Sequence, residues 1–144
     1  MPAMTQRVRQ IESGGAVVLA VALGGMIGAA GRYAFMIGFP VEPGRFPLTT
    51  FAENVAGAFA LGFVGVLLLD RLRRGRLMRP FLCTGVLGSF TTFSALSLET
   101  VTLAGDGRLW LAVAYPLASV VAGLTAALAG MMLARRWPGR GAQA

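Results

Sequence analysis

Apolar residues run almost unbroken through four stretches, Ala16 to Phe39, Leu48 to Leu69, Phe81 to Leu103 and Trp110 to Leu133, while charged residues gather between and beyond them. A helix needs roughly 17 to 25 mainly apolar residues to cross a bilayer, and each stretch meets that length. The pattern predicts an all-α membrane protein, a single domain of residues 1–144 with four transmembrane helices. The first stretch follows Arg7 and Arg9 and carries the small residues Gly28 and Gly31, as a cleaved signal peptide would, but it continues through Tyr33 to Phe39, too far for a signal's apolar core.

The punctuation between the stretches agrees. Pro40, Pro43, Gly44 and Pro47 force a reversal after the first span. The run from Asp70 to Pro80 carries five arginines and reads as an interfacial loop against lipid phosphates. Ala104-Gly105-Asp106-Gly107-Arg108 is a tight turn. The segments 1–15 and 135–144 are polar and are expected to lie loose outside the bilayer. Small residues recur on the spans, Gly24, Gly28 and Gly31 on the first, Ala58 and Gly62 on the second, and predict close helix contacts.

Composition narrows the function. Of 144 residues, 56% are hydrophobic and 13% charged, which leaves no room for a separately folding soluble enzyme domain. Nor does the chain show a nucleophile with a base, or a phosphate loop. With no histidine and the single Cys83, neither an intramolecular disulfide nor a His/Cys metal centre can form. A net charge of +7 would suggest nucleic acid in a soluble protein, but here the arginines flank the spans, so it reports orientation instead. Four spans put both termini on the side of the second loop. That face carries ten arginines, Arg7 and Arg9, Arg71, Arg73, Arg74, Arg76 and Arg79, and Arg135, Arg136 and Arg140; the opposite loops carry Arg45 and Arg108 alone. The bias predicts a multi-pass protein of the cell membrane with cytoplasmic termini.

The polar residues within the spans are the candidates for chemistry. Arg32, Glu53, Asn54 and Glu99 are costly there, at least ~2.5 to 3.5 kcal/mol for an ionised group at a helix centre, so each needs a partner, a wet cavity or the interface. Arg32 and Glu53 can neutralise each other. The Asn54 amide offers donors to an anion without a trapping charge, or an interhelical hydrogen bond. In the third span, Gly85 to Ser94 holds two glycines and four hydroxyl residues. It reads as a broken helix whose freed carbonyls can face a hard cation, or as a continuous helix with back-bonded hydroxyls. In the fourth, Tyr115, Ser119 and Gly123 share one stripe.

Three motifs in order carry a family resemblance: Gly24-Gly25-Met26-Ile27-Gly28-Ala29-Ala30-Gly31-Arg32-Tyr33, then Asn54-Val55-Ala56-Gly57-Ala58-Phe59, then Gly88-Ser89-Phe90-Thr91-Thr92-Phe93-Ser94 followed by Glu99. Together they resemble the Fluc (CrcB) fluoride channels from Gly24 to about Gly130. The resemblance implies an antiparallel dimer with two fluoride pores and a break in the third helix. A structural Na⁺, not transported, would lie at the dimer interface on backbone carbonyls of Gly88 and Thr91. By the same implication the fluoride pore is lined by Asn54, Phe93, Thr92, Ser94, Tyr115 and Ser119. Compact donors and the positive edge of a phenyl ring suit a small, strongly hydrated anion.

The chain departs from the family pattern at Leu96, where a second phenylalanine is common, at Gly123, where a hydroxyl is common, and at Glu53, where an apolar residue usually precedes the asparagine. Leu96 lacks a polarised edge and Gly123 a donor. Together with the arginine bias, these departures lead to the expectation that the chain is one half of an antiparallel heterodimer rather than a homodimer. Two other readings stay open at this stage: a proton-coupled small multidrug exporter, which would use Glu53 or Glu99 as proton carrier, and a non-conducting structural partner of a channel subunit.

Overall fold

The computed structural model of the chain describes residues 2–41, 44–70 and 77–136, with side chains from residue 14 onward except those of 69 and 70. Helix α1 covers Pro2–Gly38, α2 covers Leu48–Asp70, and α5 covers Leu109–Arg136. Between them the third span is built in two pieces. Its first, α3, is wound as a π-helix over Pro80–Leu87 and as an α-helix over Gly88–Phe90; its second, α4, covers Phe93–Gly105. All described regular structure is helical, and four helical stretches, Gly14–Gly38, Leu48–Leu68, Pro80–Gly105 and Leu109–Arg136, are long and apolar enough to cross a membrane.

Two expectations at the ends change. Residues 2–15 continue α1 as helix rather than forming a loose tail. Helix α5 runs past Leu133 to a last turn holding Arg135 and Arg136, where cations complement the carbonyl end of the helix dipole. Arg71, Arg73, Arg74 and Arg76 of the arginine run, and Arg140, lie outside the described residues, as do the side chains of Arg7 and Arg9.

The helices associate as two close pairs, α1 with α3 and α2 with α5. Glycine sets both. A Cβ on Gly85 would lie 2.8 Å from the Val21 carbonyl oxygen and 2.9 Å from the Gly24 Cα, so α1 and α3 touch backbone to backbone. Gly62 and Gly130 do the same for α2 and α5, against Ala127 and Phe59. Lipid tails supply no hydrophobic drive between helices, so dispersion at such close approach is what holds them. Outward faces of α1 and α5 stay apolar and exposed, with Val18, Met26, Leu117 and Val121 among the side chains left to lipid.

A small core closes one end of the bundle. Leu103, Leu111, Ala112 and Tyr115 are buried together, with Phe46, Phe51 and Leu96 against them. Phe46 packs edge-on to both Phe51 and Tyr115, at 5.3 and 5.2 Å between ring centres. That stack ties the segment entering α2 to the α4–α5 hairpin, whose turn needs Gly107 at φ 73°.

The third span breaks at the threonines, not at the glycines. Gly88 is helical at φ −66°, ψ −27°, and its N–H reaches the Cys83 and Gly85 carbonyls. Thr91 and Thr92 are extended, at ψ 151° and 118°. Each threonine ends or starts a helix by a local bond that competes with the ladder. The Thr91 hydroxyl donates to the Leu87 carbonyl at 2.9 Å, and the Thr92 hydroxyl accepts the Ala95 N–H at 3.2 Å as the N-cap of α4.

Candidate functional site

Extended backbone at membrane depth needs protein partners for its polar groups, and Asn54 of α2 supplies them. Its Nδ2 donates to the Thr92 carbonyl at 3.0 Å, and its Oδ1 accepts the Thr92 N–H at 2.8 Å. The amide therefore pins the break from both sides. One of its two N–H groups is taken by that bond, and one is left to face a ligand.

The pinned break separates two cavities. The first, of about 340 Å³, is lined by Asn54, Cys83, Gly88, Thr91, Thr92, Phe93, Leu96 and Ser119 among others. The second, of about 490 Å³, is lined by Arg32, Thr50, Glu53, Thr92, Ser94 and Glu99. Thr92 borders both.

The six residues expected along one pore thus divide. Asn54, Phe93 and Ser119 share the first cavity, where the Phe93 ring is 79% exposed and free to turn its edge to a ligand or a second subunit. Ser94 faces the second cavity, its Oγ 3.2 Å from the Thr92 hydroxyl. Tyr115 borders neither. It is fully buried, and its hydroxyl donates to Glu99 Oε2 at 2.6 Å. Nor is the Ser119 proton free, since the hydroxyl donates to the Tyr115 carbonyl one turn back, at 2.8 Å. Leu96 leans on the aromatic core while bordering the first cavity. At Gly123 a side chain would meet nothing within 4 Å.

Gly88 and Thr91 lie together on the first cavity, and the break changes what their carbonyls meet. In an unbroken helix the Thr92 N–H would bond Gly88 and the Ala95 N–H would bond Thr91. Here the first goes to Asn54 and the second to the Thr92 hydroxyl. These two carbonyls are left as hard oxygen donors, the chemistry an alkali cation takes.

Sequence reasoning left Glu99 without assigned partners. Both its oxygens are engaged, Oε2 by Tyr115 and Oε1 by the Thr50 hydroxyl at 2.7 Å. A signal existed, because Glu99 and Tyr115 are equidistant from Gly107 and so must sit at one level once the tight turn is recognised. Arg32 and Glu53, which the sequence allowed to neutralise each other, share the second cavity without a direct hydrogen bond to Glu53 Oε1. Glu53 is 2% exposed, and that oxygen has no hydrogen-bond partner.

Comparison with known proteins adds an independent finding. A family model described as CrcB-like protein, Camphor Resistance (CrcB), matches residues 19–131. The chain is 46% identical over 125 residues to fluoride-specific ion channel FluC 3 of Streptomyces avermitilis, covering 83% of this chain and 61% of that protein. It is 45% identical over 120 residues to fluoride-specific ion channel FluC 1 of Streptomyces coelicolor, covering 83% of this chain and 78% of that one. It is 46% identical over 118 residues to fluoride-specific ion channel FluC of Paracoccus denitrificans, with 81% and 93% covered.

Proposed function

The chain belongs to the CrcB family, and from that premise we propose that it is the subunit of a fluoride-selective channel through which cytoplasmic fluoride leaves passively down its gradient. It is a multi-pass membrane protein and not an enzyme. The observation that carries the reading is the pinned break: an asparagine amide with one N–H to spare, beside an exposed phenyl ring, on a cavity at membrane depth. Fluoride must exchange strongly held water for compact donors that do not trap it. A neutral amide and a ring edge meet both demands, and family membership leaves the multidrug-exporter reading without support.

Within that function Asn54, Phe93 and Thr92 contact the anion on one side of the break and Ser94 meets it on the other, while Ser119 lines the first cavity with its proton held by the Tyr115 carbonyl. Tyr115 acts one step back, holding the Glu99 carboxylate and receiving the Ser119 hydroxyl. The carbonyls of Gly88 and Thr91 hold a structural Na⁺. That ion would supply positive charge to backbone oxygens that the break deprives of their N–H donors, and the residues fit it because those oxygens are hard and both residues line the same cavity.

The working unit is an antiparallel dimer in the plasma membrane, and this chain's termini are cytoplasmic. Ten arginines on the terminal face against two on the other support one fixed orientation, hence a partner subunit inserted the other way. A pair of C-terminal reporters, one active only inside the cell and one only outside, should give signal from the inner reporter alone; equal signals would identify a dual-topology homodimer instead.

Phe93→Ile tests the pore directly. The ring is too exposed to hold the subunit together, so the variant should assemble normally while fluoride efflux from proteoliposomes falls at least tenfold. Unchanged efflux in an active complex would show that the first cavity is not the route.

A further inference from the structure

The second cavity holds a carboxylate that the anion path does not explain. Glu53 is almost completely buried, at 2% exposure, and its Oε1 meets no donor. Three hydroxyls near it point their protons elsewhere: Thr50 donates to Glu99, Thr49 donates to the Phe39 carbonyl, and Tyr115 donates to Glu99. What Thr49 and Thr50 leave toward the cavity is lone pairs. Arg32 is the one cation in the lining, against the two carboxylates of Glu53 and Glu99. The cavity lining therefore sets two carboxyl groups and the threonine lone pairs against a single guanidinium. A buried carboxylate oxygen that meets no donor is unfavourable in a membrane.

From this geometry we infer that the cavity between α1, α2 and α4 binds a monovalent alkali cation on the Glu53 carboxylate, with the Thr49 and Thr50 oxygens as neighbouring ligands. The donor set fixes the class. The cavity lining contains no histidine or cysteine, and the described residues contain no group of three metal-binding side chains, so a transition metal has nothing to hold it. Two carboxyl groups against one guanidinium leave at most one unbalanced negative charge, which suits a monovalent ion, whereas Ca²⁺ takes six to eight oxygens, several of them charged. The site is separate from the carbonyls of Gly88 and Thr91, which line the other cavity. Its functional sense rests on the channel reading: with Thr92 bordering both cavities, a cation on Glu53 cancels a negative charge that would otherwise repel an anion at the break.

The test needs no fluoride flux. The purified assembly is unfolded with SDS at fixed ionic strength while N-methylglucamine chloride is replaced by NaCl, and the slope of unfolding free energy against the logarithm of Na⁺ counts the ions lost on unfolding. The slope should fall by about one ion per subunit in Glu53→Gln and in Glu53→Met, as expected when one bound ion is lost. The methionine variant buries no charge and so keeps the test available if the glutamine variant assembles poorly. A slope equal to wild type in both variants would overturn the site. So would a wild-type stability that follows pH and ignores Na⁺, because a proton would then occupy Glu53. Any slope that persists in the variants belongs to the carbonyl site, so the two cation assignments fail separately.

Discussion

Replacing Asn54 by alanine removes two hydrogen bonds at once, of 2.8 and 3.0 Å, and leaves the Thr92 N–H and C=O facing each other's lost partner. Hydrogen bonds between membrane helices average about 0.6 kcal/mol, while a buried group left unsatisfied costs about 1 to 3 kcal/mol. Two such groups give a range of about 2 to 6 kcal/mol, and Thr92, itself buried, puts the expectation near the middle, about 4 kcal/mol. The variant should therefore lose stability as well as fluoride efflux, because the same amide that faces the anion also holds the break open. Asn54→Asp separates the two roles: Oδ1 can still accept the Thr92 N–H, but the donors are gone and a carboxylate faces the Thr92 carbonyl. SDS unfolding and liposome efflux of both variants, measured on the same preparations, check this. If Asn54→Ala abolished efflux with an unfolding free energy within about 0.5 kcal/mol of wild type, about the size of one interhelical bond, Asn54 would be a pore ligand only and the pinning argument would be wrong.

Two further perturbations follow from the packing. Gly28→Ala would press a methyl against the Val86 carbonyl, whose carbon lies 2.9 Å from the Cβ position. It should force α1 from α3 and cost about 1 to 3 kcal/mol or more, seen as a lowered thermal midpoint and weaker assembly. Tyr115→Phe strips one donor from the half-buried Glu99 carboxylate. A loss of about 1.5 to 3 kcal/mol is expected for a hydrogen bond to a charged group, and Glu99→Gln in the same background should recover part of it.

Most of this architecture was legible before any coordinates. Long apolar runs define spans because the bilayer imposes one length on every helix, and the four stretches reappear within a few residues of their expected ends. Glycines on α1 and α2 announced close packing, since nothing else draws helices together in lipid. The break was foreseen within Gly85 to Ser94 but not placed inside that segment: Gly85 and Gly88 stay helical, whereas Thr91 and Thr92 are extended and the Thr92 hydroxyl takes the Ala95 N–H. A stripe of residues four apart on α5 placed Tyr115 and Ser119 on one face, yet α5 turns Tyr115 into the core against Phe46 and Glu99. Which face of a helix is inward depends on its partners across the bundle, and spacing alone does not carry that information. Neighbouring spans let Arg32 and Glu53 be considered as partners, and they do share one cavity, but α1 packs mainly against α3, so sequence order alone did not give their spacing.

The central claim is that this chain's fold passes fluoride, and flux from proteoliposomes measures it most directly. Vesicles loaded with fluoride, containing the chain together with its native partner subunit where one is required, are opened to charge-compensated efflux and followed with a fluoride electrode; a parallel set is loaded with chloride. The account predicts fluoride release far above protein-free vesicles, chloride retained, and the fluoride signal lost in Phe93→Ile. Release of chloride as fast as fluoride, or no fluoride release from a correctly assembled complex, would contradict it.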